Sequence, residues 1–374
     1  MITSRQRLLA TIAGEPVDRI PVAPFIHSNY VHAVWSSAEV DLVEKTAELY
    51  CDFGFDMIHR NCTPAYDDLL LEGENWTCQV ELEQLGGNDT NRHYIIRTPE
   101  GELRQTIGTR WISKWECEVA PVDYLIKSEA DLALLEKYQP PVGEIDGELI
   151  RRAARVVGED GVVAPWINGV FNTVAYSYRP LGEVSLDPLL QPEFYDRMMR
   201  HFLGRCVAIA RQFIAAGADF LSIGVNMASG KLFDGSFIEA YVLPYEMEFF
   251  AALREAGGAT IAHNCGHASR LLPLYARLGT TIYESLTPPP HGDTRIEEAV
   301  RVLGPEVTLM GGLDQIDLLR HGSPAQVEQA VSQIMQAVHS RCRYILGTSD
   351  YLLDETPPEN LRALARAGHE MGVF

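Results

Sequence analysis

The chain has 374 residues, 46% of them apolar and 22% charged, with a formal net charge of −20. Such a chain can bury a core without disulfides or a structural metal, and its acidity excludes a general nucleic-acid binder, because neutralising phosphates takes clustered Lys and Arg. No run of about 18 apolar residues occurs, which excludes a membrane-spanning helix.

The N-terminus reads MITSRQRLLATIAGEP and lacks the long apolar stretch of a secretory signal. Ser4 is placed to cap a short helix carrying Leu8, Leu9 and Ile12, which Gly14 and Pro16 stop. Eight short β-rich segments follow: Arg19–Phe25, Asp56–Asn61, Val162–Ile167, Asp219–Val225, Ala259–Cys265, Thr280–Leu286, Val307–Leu313 and Arg343–Thr348. Most are continuous apolar runs, as expected of strands covered on both faces. Helical spacing of apolar residues predicts helices over Phe194–Ala216, Pro244–Ala256 and Ala268–Leu278, and the order helix, glycine, strand repeats in AAGADFLSI, REAGGATIAH and ARLGTTIYES. Repeated βα units imply a parallel sheet, and eight of them favour closure into a (β/α)8 TIM barrel. One stretch breaks the pattern. From about 76 to 119 the chain alternates like antiparallel strands, with turn signals at Gly86–Asn88 and Pro99–Gly101. It is expected to be an insertion between the second and third barrel strands, within a single domain spanning residues 1–374.

In a parallel barrel, catalytic groups collect at the carboxyl ends of the strands. The fifth strand ends in AHNCGH, so His263 and Cys265, two residues apart, point to one side and together suit Zn2+. A packed core histidine beside a small buried cysteine is the competing reading. Glu284, in the sixth strand, needs a partner in an apolar setting: it has a catalytic role or closes the barrel as an ion pair. Asp314, after GGL, orients a substrate or caps the next helix. Asp350, at the end of the eighth strand, is an acceptable third zinc ligand, or else caps the TPPEN helix, although Thr356 with Pro357 already supplies that cap. Cys342 starts the eighth strand and faces the opposite end of the barrel. Asn168, Asn172 and Asn226 sit at the third and fourth strand ends, and His27 follows the first; Asn168, Asn226, Asp314 and His27 are candidate substrate contacts. The seven cysteines are scattered and include no CxxC pair, so no disulfide framework is expected. A reducing cytosol is the expected compartment.

Four segments, MITSRQRLLATIAGEPVDRIPV, AHNCGHASRLLPLYARLG, MGGLDQ and GTSDYLLDETPPENLRAL, resemble the uroporphyrinogen decarboxylase superfamily over nearly the whole chain. The resemblance implies a (β/α)8 barrel. The decarboxylases of that superfamily carry an RQAGR motif after the first strand; here the stretch is APFIHSNYVHAVW, without arginine, and the family's late histidine aligns with Asp350. The other branch comprises cobamide-dependent methyltransferases, whose zinc site is HxC plus a later Cys. His263 and Cys265 match the first two ligands, and Asp350 stands in place of the third. That branch implies zinc, a cobamide supplied by a separate corrinoid protein, and methyl transfer to or from a thiol, methyl ether or amine. A decarboxylase-like lyase using His263 and Asp350 as acid and base, and a non-catalytic corrinoid- or tetrapyrrole-binding barrel, are the alternatives.

Overall fold

The computed structural model describes residues 2–304 and 307–374; Met1, the first letter of the opening motif, lies outside them. Eight β segments close on one another in chain order. Met57–His59 pairs in parallel with Gly161–Val163, and Trp166–Asn168 opens a parallel run through Phe220–Gly224, Ala259–His263, Ile282–Ser285, Thr308–Leu313 and Tyr344–Thr348. Val22 closes the ring: it bridges Leu346 in parallel, and its carbonyl accepts from Asp56 N at 2.7 Å. The fold is thus the expected TIM barrel.

Two segments depart from the expected strands, both at prolines. Arg19–Phe25 holds only isolated bridges, because Pro21 and Pro24 offer no N–H to a ladder. The third strand breaks at Ala164–Pro165 into two short pieces. The helix expected over Ala268–Leu278 is instead two 3-10 turns, Ser269–Leu271 and Ala276–Leu278, around one α turn at Leu272–Tyr275. Pro273 removes a donor within it, which fits so short a helix. The helices Pro192–Ala215 and Leu243–Glu255 lie where expected. The first helix, Ser4–Ala13, is capped one residue earlier than expected: Thr3 accepts from Gln6 N and Gln6 returns the bond to Thr3 N.

Inside the barrel, one layer of side chains fills the amino-terminal half. Ala23, Ile58, Val162, Ala164, Phe220, Ile261, Ile282, Met310 and Ile345 pack there, with Leu8 of the first helix closing the bottom. This layer is the floor of whatever lies above it. The insertion is a four-stranded antiparallel sheet, Thr77–Gly86, Asp89–Thr98, Gly101–Trp111 and Cys117–Asp123, slightly longer than the sequence pattern suggests.

Gly311 shows how tightly the strand ends approach. Its φ is +108°, and a Cβ there would sit 2.4 Å from the Ser285 carbonyl oxygen. Gly311→Ala combines a left-handed backbone with a backbone clash and is expected to cost about 2 kcal/mol or more in urea unfolding. A loss under about 0.5 kcal/mol would mean the strand end yields freely.

Candidate active site

Strand periodicity builds the site. Ile261 and Ile282 belong to the floor layer, so His263 and Glu284, each two residues on and aligned with one another, enter the interior one layer higher. Gly266, at φ +92°, then turns the chain away, leaving half-buried Cys265 beside His263. Asp350 arrives from the eighth strand, held by Tyr351 N donating to Oδ1 at 2.8 Å. Its Oδ1 stands 3.7 Å from His263 Nε2, and one ligand atom from each of His263, Cys265 and Asp350 lies within 4.8 Å of the others.

A buried chain orients the imidazole. His263 Nδ1 meets Glu284 Oε2 at 2.9 Å, and Arg60 grips Glu284 with both terminal nitrogens, one at 2.9 Å from Oε2. The guanidinium carbon lies 4.2 Å from the centroid of the Phe25 ring. Burial disfavours the Glu284 carboxylate, but the Arg60 charge and the His263 bond outweigh it and hold its pKa down to about 2. Burial likewise opposes charge on His263, and Asp350, Cys265 and Glu284 together overcome it, keeping its pKa well above the ordinary value. The cluster therefore favours positive charge at one point. With Nδ1 committed to Glu284, Nε2 is the atom left for a metal, as in carboxylate–histidine–zinc sites. Imidazole, thiolate and carboxylate are all zinc donors, and the three lie close enough together to hold one ion.

The cavity above these residues has a volume of about 880 Å³. Asn168, Asn226 and His27 line it, as do His263, Cys265 and Asp350. Asn172 Nδ2 donates to Asn226 Oδ1 at 2.8 Å, and Met227 N donates to Asn172 Oδ1 at 2.9 Å, which fixes the amide group. Glu284 lies behind His263, 1% exposed, and does not line the cavity. Asp314 does not line it either: its Oδ1 caps the next turn by accepting from Ile316 N and Asp317 N. Asp350 caps no helix. The last helix, Pro358–Met371, starts after Pro357 without a side-chain cap, and Thr356, the expected cap, has no partner for its hydroxyl. Cys342 lines a separate hollow with Gly14 and Phe374.

Sequence reading missed Arg60, Phe25, Trp166, Tyr351 and Met227, all of which line the cavity. Arg60 had a signal: a charge closing an apolar strand calls for a buried partner, as Glu284 did. The aromatic residues had none, because Phe and Trp at strand ends read equally well as core.

Under the short helix Val170–Thr173, which carries Asn172, lies Glu246, 2% exposed, with one oxygen accepting from Phe171 N at 2.9 Å and the other without a partner. Burial raises its pKa to about 7. The folded value exceeds the unfolded one, so the contribution is full below about pH 4.5 and disappears as pH rises through 7. Between pH 5 and pH 8 the wild type is expected to lose on the order of 2 kcal/mol from this group. Glu246→Gln should remove that slope in urea unfolding at the two pH values; an unchanged slope would place the titration elsewhere.

A profile of the family Uroporphyrinogen decarboxylase (URO-D) matches residues 121–371. The chain is 24% identical over 371 residues to methylcobamide:CoM methyltransferase MtbA of Methanosarcina mazei, covering 97% of this chain and 96% of that protein. It is 31% identical over 168 residues, 45% of this chain and 42% of that protein, to the methylated-thiol–coenzyme M methyltransferase of the same organism. It is 24% identical over 254 residues, 66% of this chain and 70% of that protein, to uroporphyrinogen decarboxylase of Myxococcus xanthus. A solved structure described as a methyltransferase from Methanosarcina mazei superposes with a TM-score of 0.68 at 18% identity, covering 99% of both chains.

Proposed function

The chain belongs to the uroporphyrinogen decarboxylase family, and from that premise we propose that it is a zinc-dependent methyltransferase moving a methyl group between a corrinoid protein and a small-molecule heteroatom. The observation that carries this reading is the donor set: His263 Nε2, Cys265 Sγ and Asp350 converge at the mouth of the barrel, with Glu284 holding the far side of the imidazole. The full-length similarity to methylcobamide:CoM methyltransferases supports it.

In this reading His263, Cys265 and Asp350 hold the zinc, which when bound supplies Lewis-acid activation of the heteroatom. Glu284 and Arg60 fix the imidazole, so the ligand geometry needs little reorganisation. Phe25 and Trp166 keep water from one side. Asn168, Asn226 and His27 contact the substrate. Asp314 belongs to the turn it caps, and we assign it no substrate contact. The cobamide arrives with a separate corrinoid protein at the open mouth, and residues 1–374 act as one domain whose inserted sheet borders that mouth. Among the described residues no helix is long and apolar enough to cross a membrane; we place the enzyme in the cytoplasm.

Decarboxylation of a polycarboxylate fits less well, because both arginines lining the cavity are already ion-paired: Arg60 with Glu284, Arg152 with Asp41 and Glu44. The test is methyl transfer with free methylcobalamin or reduced cobalamin, zinc-loaded protein and a panel of thiols, methyl ethers and amines. Zinc-dependent turnover of at least one is expected. Release of CO2 from a tetrapyrrole or smaller acid without methyl transfer would give the lyase reading instead, and tight cobamide binding without any turnover the non-catalytic one.

A further inference from the structure

We propose, building on the methyl-transfer reading, that the small-molecule substrate is a neutral aromatic methyl ether, held between the Phe25–Trp166 wall and Tyr351 with its ether oxygen at the His263–Cys265–Asp350 cluster.

Charge gives the first argument. Coenzyme M carries a sulfonate, and an anion needs an unpaired cation or convergent donors to replace its water. The permanent cations lining the cavity are Arg60 and Arg152. Glu284 neutralises the first in a buried pair, and Asp41 and Glu44 flank the second. Arg92 and Lys114 border adjoining hollows, Arg92 beyond Thr63, Trp166 and Asn168 and alongside Asp67 and Asp68, and Lys114 over the Trp115 ring. With Asp350 and Asp41 also on its wall, the cavity offers an anion no arginine that lacks a carboxylate partner.

Shape gives the second. Phe25 and Trp166 lie nearly parallel, 17° apart with centroids 6.1 Å from each other, and the His263 ring meets both at a steep angle, 6.1 and 5.2 Å away. Tyr351 and His27, 5.2 Å apart, continue the aromatic lining. Flat walls beside the reacting position suit a flat ring, and about 880 Å³ is ample for one with substituents. Asn168 and Asn226 offer amides to neutral ring oxygens. A methylated quaternary ammonium fits less well: its nitrogen has no lone pair to present, and the Arg60 guanidinium already lies over Phe25. The carboxylate of Asp350 is a harder donor than a thiolate, which matches an oxygen heteroatom better than sulfur.

The step balances with a reduced cob(I)amide as co-substrate. The O–CH3 bond breaks and its electron pair stays on the aryl oxygen. The methyl group is captured by the cobalt electron pair, formally oxidising Co(I) to Co(III), and the phenolate takes a proton from water.

The experiment uses zinc-loaded full-length protein. Isothermal titration compares 2-methoxyphenol, 4-methoxybenzoate and 2-mercaptoethanesulfonate, and methylcobalamin formation from cob(I)alamin is followed with methoxyarenes, methylthioethanesulfonate and trimethylamine. We expect neutral methoxyarenes to bind and to exceed every other donor at least tenfold in kcat/KM. Trp166→Ala should raise their KM about tenfold, and Trp166→Phe should restore most of the loss. Preference for the sulfonate or the amine would overturn this inference while leaving methyl transfer standing, as would arene turnover insensitive to Trp166→Ala. No methyl transfer from any donor would overturn the broader reading, and this one with it.

Discussion

Replacing His263 with alanine is expected to abolish zinc retention and to slow methyl transfer about a thousandfold or more, while the protein remains folded. The substitution removes the one ligand atom, Nε2, whose direction the interior fixes, and Lewis-acid stabilisation of several kcal/mol corresponds to that factor. Folding survives because Glu284 keeps its pair with Arg60. Glu284→Gln leaves the imidazole in place but weakens its orientation, so a smaller loss of about 10–100-fold in zinc affinity or rate is expected. Zinc content, rate and urea midpoint measured on the same preparations separate the two effects. Full methyl-transfer activity in His263→Ala would remove the histidine from the mechanism.

The second large effect concerns stability. Arg60 and Glu284 are 2% and 1% exposed at the side chain, so the pair is fully withdrawn from water. Arg60→Met leaves the buried Glu284 carboxylate with His263 as its remaining charged partner and should destabilise the metal-free protein by about 3 kcal/mol. The double variant Arg60→Met/Glu284→Gln should recover much of that, because no uncompensated charge remains. A single-variant cost below about 1 kcal/mol, or a double variant no better than the single, would show that water reaches Glu284.

The barrel was legible because its strands, Phe220–Gly224 and Ala259–His263 among them, are apolar runs after glycine turns. The departures came from prolines: Pro21 and Pro24 leave the first position unladdered, and Pro165 breaks the third. His263, Cys265 and Asp350 were legible together because strand ends in a closed barrel converge and HxC is a compact ligand pattern. What the sequence left open was the direction of each side chain. Glu284 was expected either to pair or to act, and it pairs with Arg60 through both oxygens while one of them, Oε2, also meets His263. Asp314 sits at a strand end yet spends its carboxylate on the turn that follows. A one-dimensional spacing could not say which partner each carboxylate takes, since Arg60 is 224 residues away from Glu284 in the chain.

Zinc binding by His263, Cys265 and Asp350 is tested most directly by zinc K-edge X-ray absorption on the purified, zinc-reconstituted protein. One zinc per chain is expected, with one sulfur scatterer at about 2.3 Å and nitrogen or oxygen scatterers at about 2.0–2.1 Å. Cys265→Ser should remove the sulfur shell. Failure to retain zinc, or a sulfur shell that survives Cys265→Ser, would contradict zinc binding by these residues.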